Sequence, residues 1–138
     1  MNLKELWGTI KNQLNAAGIE NSAQEAYWLI EEFTAVSKAQ ILAQGEKELD
    51  PSGLARLFGA VEQRVKRYPL QYLLGEVDFM GLSFQVNRNV LIPRPETAEL
   101  VKWGIANIAQ GAKVLDLGTG SGCIAIALKY YRRDLSVF

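Results

Sequence analysis

The stretch Asp116-Leu117-Gly118-Thr119-Gly120-Ser121-Gly122 restricts the possible folds of this chain more than any other. Three glycines on alternate positions let the backbone turn tightly and leave no Cβ to block a close approach. Val114-Leu115-Asp116-Leu117 before them reads as a buried strand. Ile124 to Tyr131 after them reads as a helix, and Leu135 to Phe138 as the start of a second strand. Strand, crossover helix and strand in that order imply a parallel pair with a right-handed connection. The C-terminal part is therefore expected to be one β-α-β unit.

The rest of the chain changes period once. Leu3, Leu6, Trp7, Ile10 and Leu14 recur on one helical face, and Gly18 is the expected stop. Ser22 and Glu25 have the spacing of a capping box opening a second helix, and Ser37 and Gln40 repeat it before a short third. Asp50 and Pro51 read as a cap and first helical residue, followed by the stripe Leu54, Leu57, Phe58, Val61 and Val65. A short turn of helix from Pro69 to Leu74 ends at Gly75.

The period then drops to two. Val77, Phe79, Leu82, Phe84 and Val86 flank Met80-Gly81, the pattern of a hairpin. Asn87-Arg88-Asn89 is a turn signal. Val90-Leu91-Ile92 reads as a strand running into the rigid corner Pro93-Arg94-Pro95, with a helix expected from about Glu96 to Gln110. The fold class is α/β, with a helical bundle over residues 1–74, a hairpin linker over 75–92 and the β-α-β unit within 93–138.

Composition removes several function classes. With 138 residues, 49% hydrophobic and 22% charged, the chain is globular rather than disordered. Fifteen basic residues balance fifteen acidic ones, which argues against direct nucleic-acid binding. No histidine and a single cysteine, Cys123, argue against a metal site. No apolar run approaches the ~20 residues of a membrane span, and no signal peptide is visible. A reducing, cytoplasmic setting is the expectation.

Three readings of the glycine loop remain open. A dinucleotide site wants G-x-G-x-x-G, and Cys123 stands where its third glycine belongs. A P-loop needs a lysine after the last glycine, and Gly122 is followed by Cys123. An S-adenosylmethionine loop suits the pattern better, since the acid Asp116 at the strand end matches that ligand's ammonium group. A purely structural strand-turn-helix is the plain alternative. Similarly, Pro93 to Thr97 is either a proline corner with Glu96 at a positive helix end, or a ligand-lining wall held rigid by its prolines.

Cys123 reads as an inert buried thiol, and Trp7, Trp28 and Trp103 as core. Arg56, Arg64, Lys66 and Arg67 read as a solvated helix face, with a partner-docking surface as the alternative.

Four segments taken in order carry a resemblance. Pro69-Leu70-Gln71-Tyr72-Leu73-Leu74-Gly75, Phe79-x-Gly81-x-x-Phe84-x-Val86, Val90-Leu91-Ile92-Pro93-Arg94-Pro95-Glu96-Thr97 and Asp116 to Gly122 resemble the HemK family of protein-glutamine methyltransferases. The glycine loop is shared by many methyltransferases, whereas the I-P-R-P-E-T segment is far more specific. The sister enzyme acting on a large-subunit ribosomal protein usually has a different segment there. The resemblance thus implies S-adenosylmethionine as cofactor and peptide chain release factors as protein substrate.

It also implies a helical docking domain and the opening of a Rossmann-like methyltransferase domain. On the cofactor side it implies Asp116, Gly118, Thr119, Gly120, Ser121 and Gly122, with Phe79, Pro93, Arg94, Glu96 and Thr97 as wall residues. Two departures matter. Ala98 stands where the family commonly has glutamate, and the N-P-P-Y motif that holds the substrate amide is missing from these 138 residues. The chain by itself is expected to be inactive. The rival readings are a non-catalytic partner-binding module and a methyltransferase acting on a ribosomal protein or a nucleic-acid adenine.

Overall fold

The computed structural model describes residues 1–48 and 51–138. The cap expected at Asp50 lies outside the described residues. Among the described residues helices dominate, with two small sheets of two strands each. The chain divides into two units, Met1–Leu74 and Gly75–Phe138.

The first unit holds α1 (Leu3–Ala16), α2 (Ser22–Thr34), α3 (Lys38–Ala43), a 3-10 turn (Pro51–Gly53), α4 (Leu54–Val65) and α5 (Leu70–Leu74). The expected stripe of α1 is its buried face, with Leu6, Ile10 and Leu14 fully enclosed. They meet Leu29 and Ile30 of α2 and Leu57 and Val61 of α4 in one cluster. Burial of each such side chain stabilises by roughly 1.5–3 kcal/mol, so this cluster defines the unit. α1 opens on a capping box the sequence reading missed: Asn2 accepts from the Glu5 amide and Glu5 accepts from the Asn2 amide. Asn2 also forms an isolated antiparallel bridge with Glu48.

Ser37 and Gln40 form the reciprocal box expected of them. Ser22 and Glu25 do not. The N-cap of α2 is Asn21, without a side-chain cap bond, and both Ser22 and Glu25 are buried. Glu25 instead receives two hydrogen bonds from Arg64 of α4, at 2.6 and 3.0 Å. A buried carboxylate gains more from a two-point guanidinium than from one backbone amide. The solvated-face reading of Arg64 is corrected accordingly, and Arg67 donates to the carbonyls of Ala17 and Gly18 beyond α1. Two tryptophans also depart from the core reading: Trp28 is 43% and Trp103 63% exposed.

In the second unit β1 (Glu76–Phe79) and β2 (Leu82–Gln85) pair antiparallel, with Phe79 opposite Leu82. Met80 and Gly81 both take positive φ, the geometry that matches strand twist in a two-residue hairpin. The Tyr131 hydroxyl donates to the Met80 carbonyl. Phe79 and Phe84, ring edge to face, share a core with Val101, Cys123, Ala127 and Leu128. The hairpin is thus built into the same core as the helices that follow it.

α6 (Pro95–Asn107) starts with Pro95 in its first turn, where a missing amide costs nothing. Gly104 lets α7 (Cys123–Tyr131) approach: a Cβ there would stand 3.1 Å from Leu128 Cδ2. β3 (Lys113–Val114) and β4 (Ser136–Val137) pair parallel, so strand, α7 and strand form a β-α-β unit.

Two strand expectations shrink. Val90 to Ile92 form no strand, and Leu91 is 70% exposed. Of Val114 to Leu117 only Val114 is strand, paired within the two-residue β3, and Leu115 and Leu117 are largely exposed. The face of the pair carrying Val114 and Val137 joins the core, while Leu115, Leu117 and Phe138 lie bare.

A clasp fixes the approach to β3. Arg132, after α7, donates to the carbonyls of Ile105 and Ile108 at the end of α6 and to both oxygens of Asp134. Asp134 also accepts from the Gly111 amide. The Arg132 guanidinium and that amide hold the Asp134 carboxyl well below the usual carboxylate range.

Candidate functional site

Asp116 stands at the end of β3, and its backbone is placed by the sheet: its amide donates to the Phe138 carbonyl at 2.8 Å, continuing the parallel ladder. Its side chain is half-buried and placed by the loop, because the Thr119 hydroxyl donates to Asp116 Oδ2 at 2.9 Å. Thr119 is held in turn by its carbonyl, which accepts from the Gly122 amide at 2.9 Å. Gly122, the N-cap of α7, then accepts from Ile126. The carboxylate is thereby tied through one residue to the first turn of a helix.

The glycines have distinct reasons. Gly118, Gly120 and Gly122 all take positive φ, at +72°, +57° and +79°. A Cβ on Gly122 would meet Ile126 at 3.1 Å, so this glycine also serves packing. A Cβ on Gly118 would meet nothing within 4 Å, and one on Gly120 only the Gly118 carbonyl at 4.0 Å. Open space therefore lies over the middle of the loop. Beside it, the first-turn amides of α7 lack partners within the helix and give that end a partial positive charge. A half-buried carboxylate, an open glycine surface and a helix N-terminus together suit a zwitterionic ligand: an ammonium on the acid, a carboxylate near the amides.

The second segment is separate from this chain of contacts. Arg94 is the N-cap of α6 and makes no side-chain cap bond; its carbonyl accepts from the Thr97 amide at 3.0 Å. Arg94 and Glu96 are exposed, Pro93 and Thr97 half-buried. Phe79 is 4% exposed and belongs to the core. Among the described residues no hydrogen bond or ion pair joins Pro93 to Thr97 with the glycine loop. What relates the two segments is that the helices they open, α6 and α7, share one core. Ser121 is half-buried within the loop.

Cys123, next to Gly122, is buried and unpaired. Among the described residues no group of three or more metal-ligating side chains occurs, and no helix is long and apolar enough to cross a membrane. The Asp116–Thr119 contact is the feature of the candidate site that the residue pattern alone did not reveal. Its only sequence signal is the three-residue spacing of an acid and a hydroxyl across Gly118.

Comparison with known proteins agrees with the resemblance drawn from the motifs. Residues 5–75 match the family described as PrmC N-terminal domain. A release factor glutamine methyltransferase of Geobacter sulfurreducens is 41% identical over 118 residues, 86% of this chain and 42% of the relative. Proteins of the same name from Moorella thermoacetica and Coxiella burnetii are each 36% identical, over 95% and 96% of this chain and 47% and 48% of their own lengths. The chain thus spans less than half the length of these curated relatives. With its N-terminal unit matched and its loop segments inside the aligned region, the chain belongs to the release factor glutamine methyltransferase family, of which it carries the PrmC N-terminal domain.

Proposed function

We propose that this protein methylates the side-chain amide nitrogen of a glutamine in a peptide chain release factor, with S-adenosylmethionine as methyl donor, in the cytoplasm. In this reading residues 1–74 are the docking domain for the release factor. The hairpin of residues 75–92 leads into residues 93–138, the opening of a Rossmann-like class I methyltransferase domain. The observation that carries the reading is the loop: a half-buried Asp116 beside open space over Gly118 and Gly120 at a helix N-terminus.

S-Adenosylmethionine, when bound, supplies an electrophilic methyl group on a sulfonium. The residues of this chain bind and orient. Asp116 would hold the ammonium of the amino acid end by accepting a hydrogen bond from it. Gly118 and Gly120 would leave bare backbone open to the ligand, and Gly122 keeps α7 close behind. Thr119 and Ser121 flank the contact. Pro93, Arg94, Glu96 and Thr97 form a stiff wall at the start of α6, which Phe79 supports from the core. A glutamine amide is a weak nucleophile because its lone pair is delocalised into the carbonyl. Its transfer therefore rests on positioning and electrostatics.

Two titrations test this reading. The 138-residue chain should bind a purified release factor through residues 1–74, read by loss of their amide signals, and S-adenosylhomocysteine through the loop, read by shifts at Gly118 to Gly122. A chain that engages neither overturns it.

A further inference from the structure

We infer that Thr119 is a positioning residue whose hydroxyl aims the Asp116 carboxylate, and so selects ligands carrying an amino acid arm over bare nucleosides. The inference rests on the cofactor reading above and assigns a role within that site. Asp116 is held at two points that differ in kind. Its amide is fixed by the ladder to Phe138, so its Cα cannot drift. Its Oδ2 takes the Thr119 hydroxyl at 2.9 Å, so the carboxylate plane cannot turn freely. A carboxylate held only by its backbone samples several orientations, and a ligand must then supply the ordering itself.

Thr119 suits this task. Its β-branched side chain has few χ1 states, and its carbonyl is locked by the Gly122 amide. Its hydroxyl is also neutral. It occupies one lone pair of Oδ2 without cancelling the charge, and leaves Oδ1 and the remaining lone pairs for a cation. An arginine or lysine in that place would satisfy the charge and remove the reason to bind an ammonium. The neighbours on either side, Gly118 and Gly120, have no Cβ to cover the oxygen left open. A ligand with an α-ammonium gains a charge-assisted hydrogen bond here, whereas a nucleoside without that arm gains nothing from the aim of Asp116.

The test is amide-shift titration of the 138-residue chain with two probes. One is S-adenosylhomocysteine, which has the amino acid arm; the other is 5′-methylthioadenosine, which lacks it. The method reads weak binding directly. Thr119→Val keeps the shape and removes the hydroxyl, and is expected to weaken S-adenosylhomocysteine roughly 10-fold while leaving methylthioadenosine unchanged. Thr119→Ser should restore most of the loss. Unchanged affinity for both probes in Thr119→Val would overturn the role of Thr119 while the cofactor reading stands. Equal loss for both would make Thr119 a structural loop residue, or assign Asp116 to the ribose, and either defeats the inference. A wild-type chain that binds neither probe defeats the cofactor reading and this inference with it.

Discussion

Arg64 grips Glu25 at both carboxylate oxygens, with Nε 2.6 Å and Nη2 3.0 Å away, across 39 residues of sequence. Both side chains are nearly out of solvent, at 16% and 9% exposure. The pair pins α2 to α4, and Arg64 Nη1 also donates to the Tyr68 carbonyl. Removal of one partner leaves an uncompensated buried charge. Arg64→Met is therefore expected to destabilise the helical unit by about 3–5 kcal/mol, and the double change Glu25→Leu with Arg64→Met by much less. Urea denaturation of wild type, Glu25→Leu, Arg64→Met and the double variant closes the cycle; equal losses in single and double variants would refute the pairing.

Gly18 leaves α1 at φ +72°, with the Arg67 guanidinium capping the carbonyls beside it. Alanine there is strained by its backbone, and its Cβ would sit 3.0 Å from Arg67 Nη2, the far end of a flexible side chain. The backbone term dominates. Gly18→Ala should cost about 1–2 kcal/mol, and Gly18→Asn less. Thermal melting of the two variants compares them, and an alanine variant as stable as wild type would contradict the positive φ.

The Arg132–Asp134 clasp makes a pH prediction. The Asp134 carboxyl titrates below its unfolded value, so its contribution is fully present above the ordinary carboxylate range and is lost as pH falls through the folded value. Wild type should exceed Asp134→Asn in stability at pH 7. The gap should stay constant down to about pH 5 and narrow below about pH 4. Melting temperatures of both proteins across that range measure it. A gap that is absent at pH 7, or that widens in acid, would show that the clasp contributes nothing.

Much of the helical unit was readable because its signals are local. The stripe Leu3, Leu6, Ile10, Leu14 needs only a 3.6-residue period, and the Ser37–Gln40 box only a three-residue spacing. Ser22 and Glu25 have that same spacing and form no box, because the partner that wins Glu25 lies on another helix. A capping pattern cannot report a competitor 39 residues away. Trp103 fails for a related reason: its period says helix, but which face is covered depends on what α7 reaches, and α7 reaches Val101 and Gly104. At the loop, the glycine pattern announced the turn, but the aim of Asp116 depends on a hydroxyl contact that composition does not encode. The Asn2–Glu5 box has the same local three-residue spacing and is legible in the same way.

Leu117, in the turn after β3, is 83% exposed, and Leu115 and Phe138 are exposed as well. Leu117→Ser removes apolar surface that packs against nothing in the folded unit. Stability should change by less than about 0.5 kcal/mol while the soluble concentration limit rises. Sedimentation at increasing protein concentration reads the second effect; a large loss in melting temperature would mean that Leu117 is not free.

Gly120→Ala places a methyl group in the open space over the loop and strains a backbone at φ +57°. Loss of S-adenosylhomocysteine binding with the rest of the amide spectrum unchanged is the expected outcome. Binding at wild-type strength would place the ligand elsewhere.

The ladder bond from the Asp116 amide to the Phe138 carbonyl has a consequence for synthesis. The core partners of the first unit's helices all lie within residues 1–74, so that unit can settle while the chain is still growing. Asp116 must wait for a residue 22 positions downstream before its backbone is held. A short peptide spanning only the loop and α7 would keep its glycines and lose the address of its acid. The order of synthesis therefore has every part of the N-terminal unit made before the backbone of Asp116 can be held.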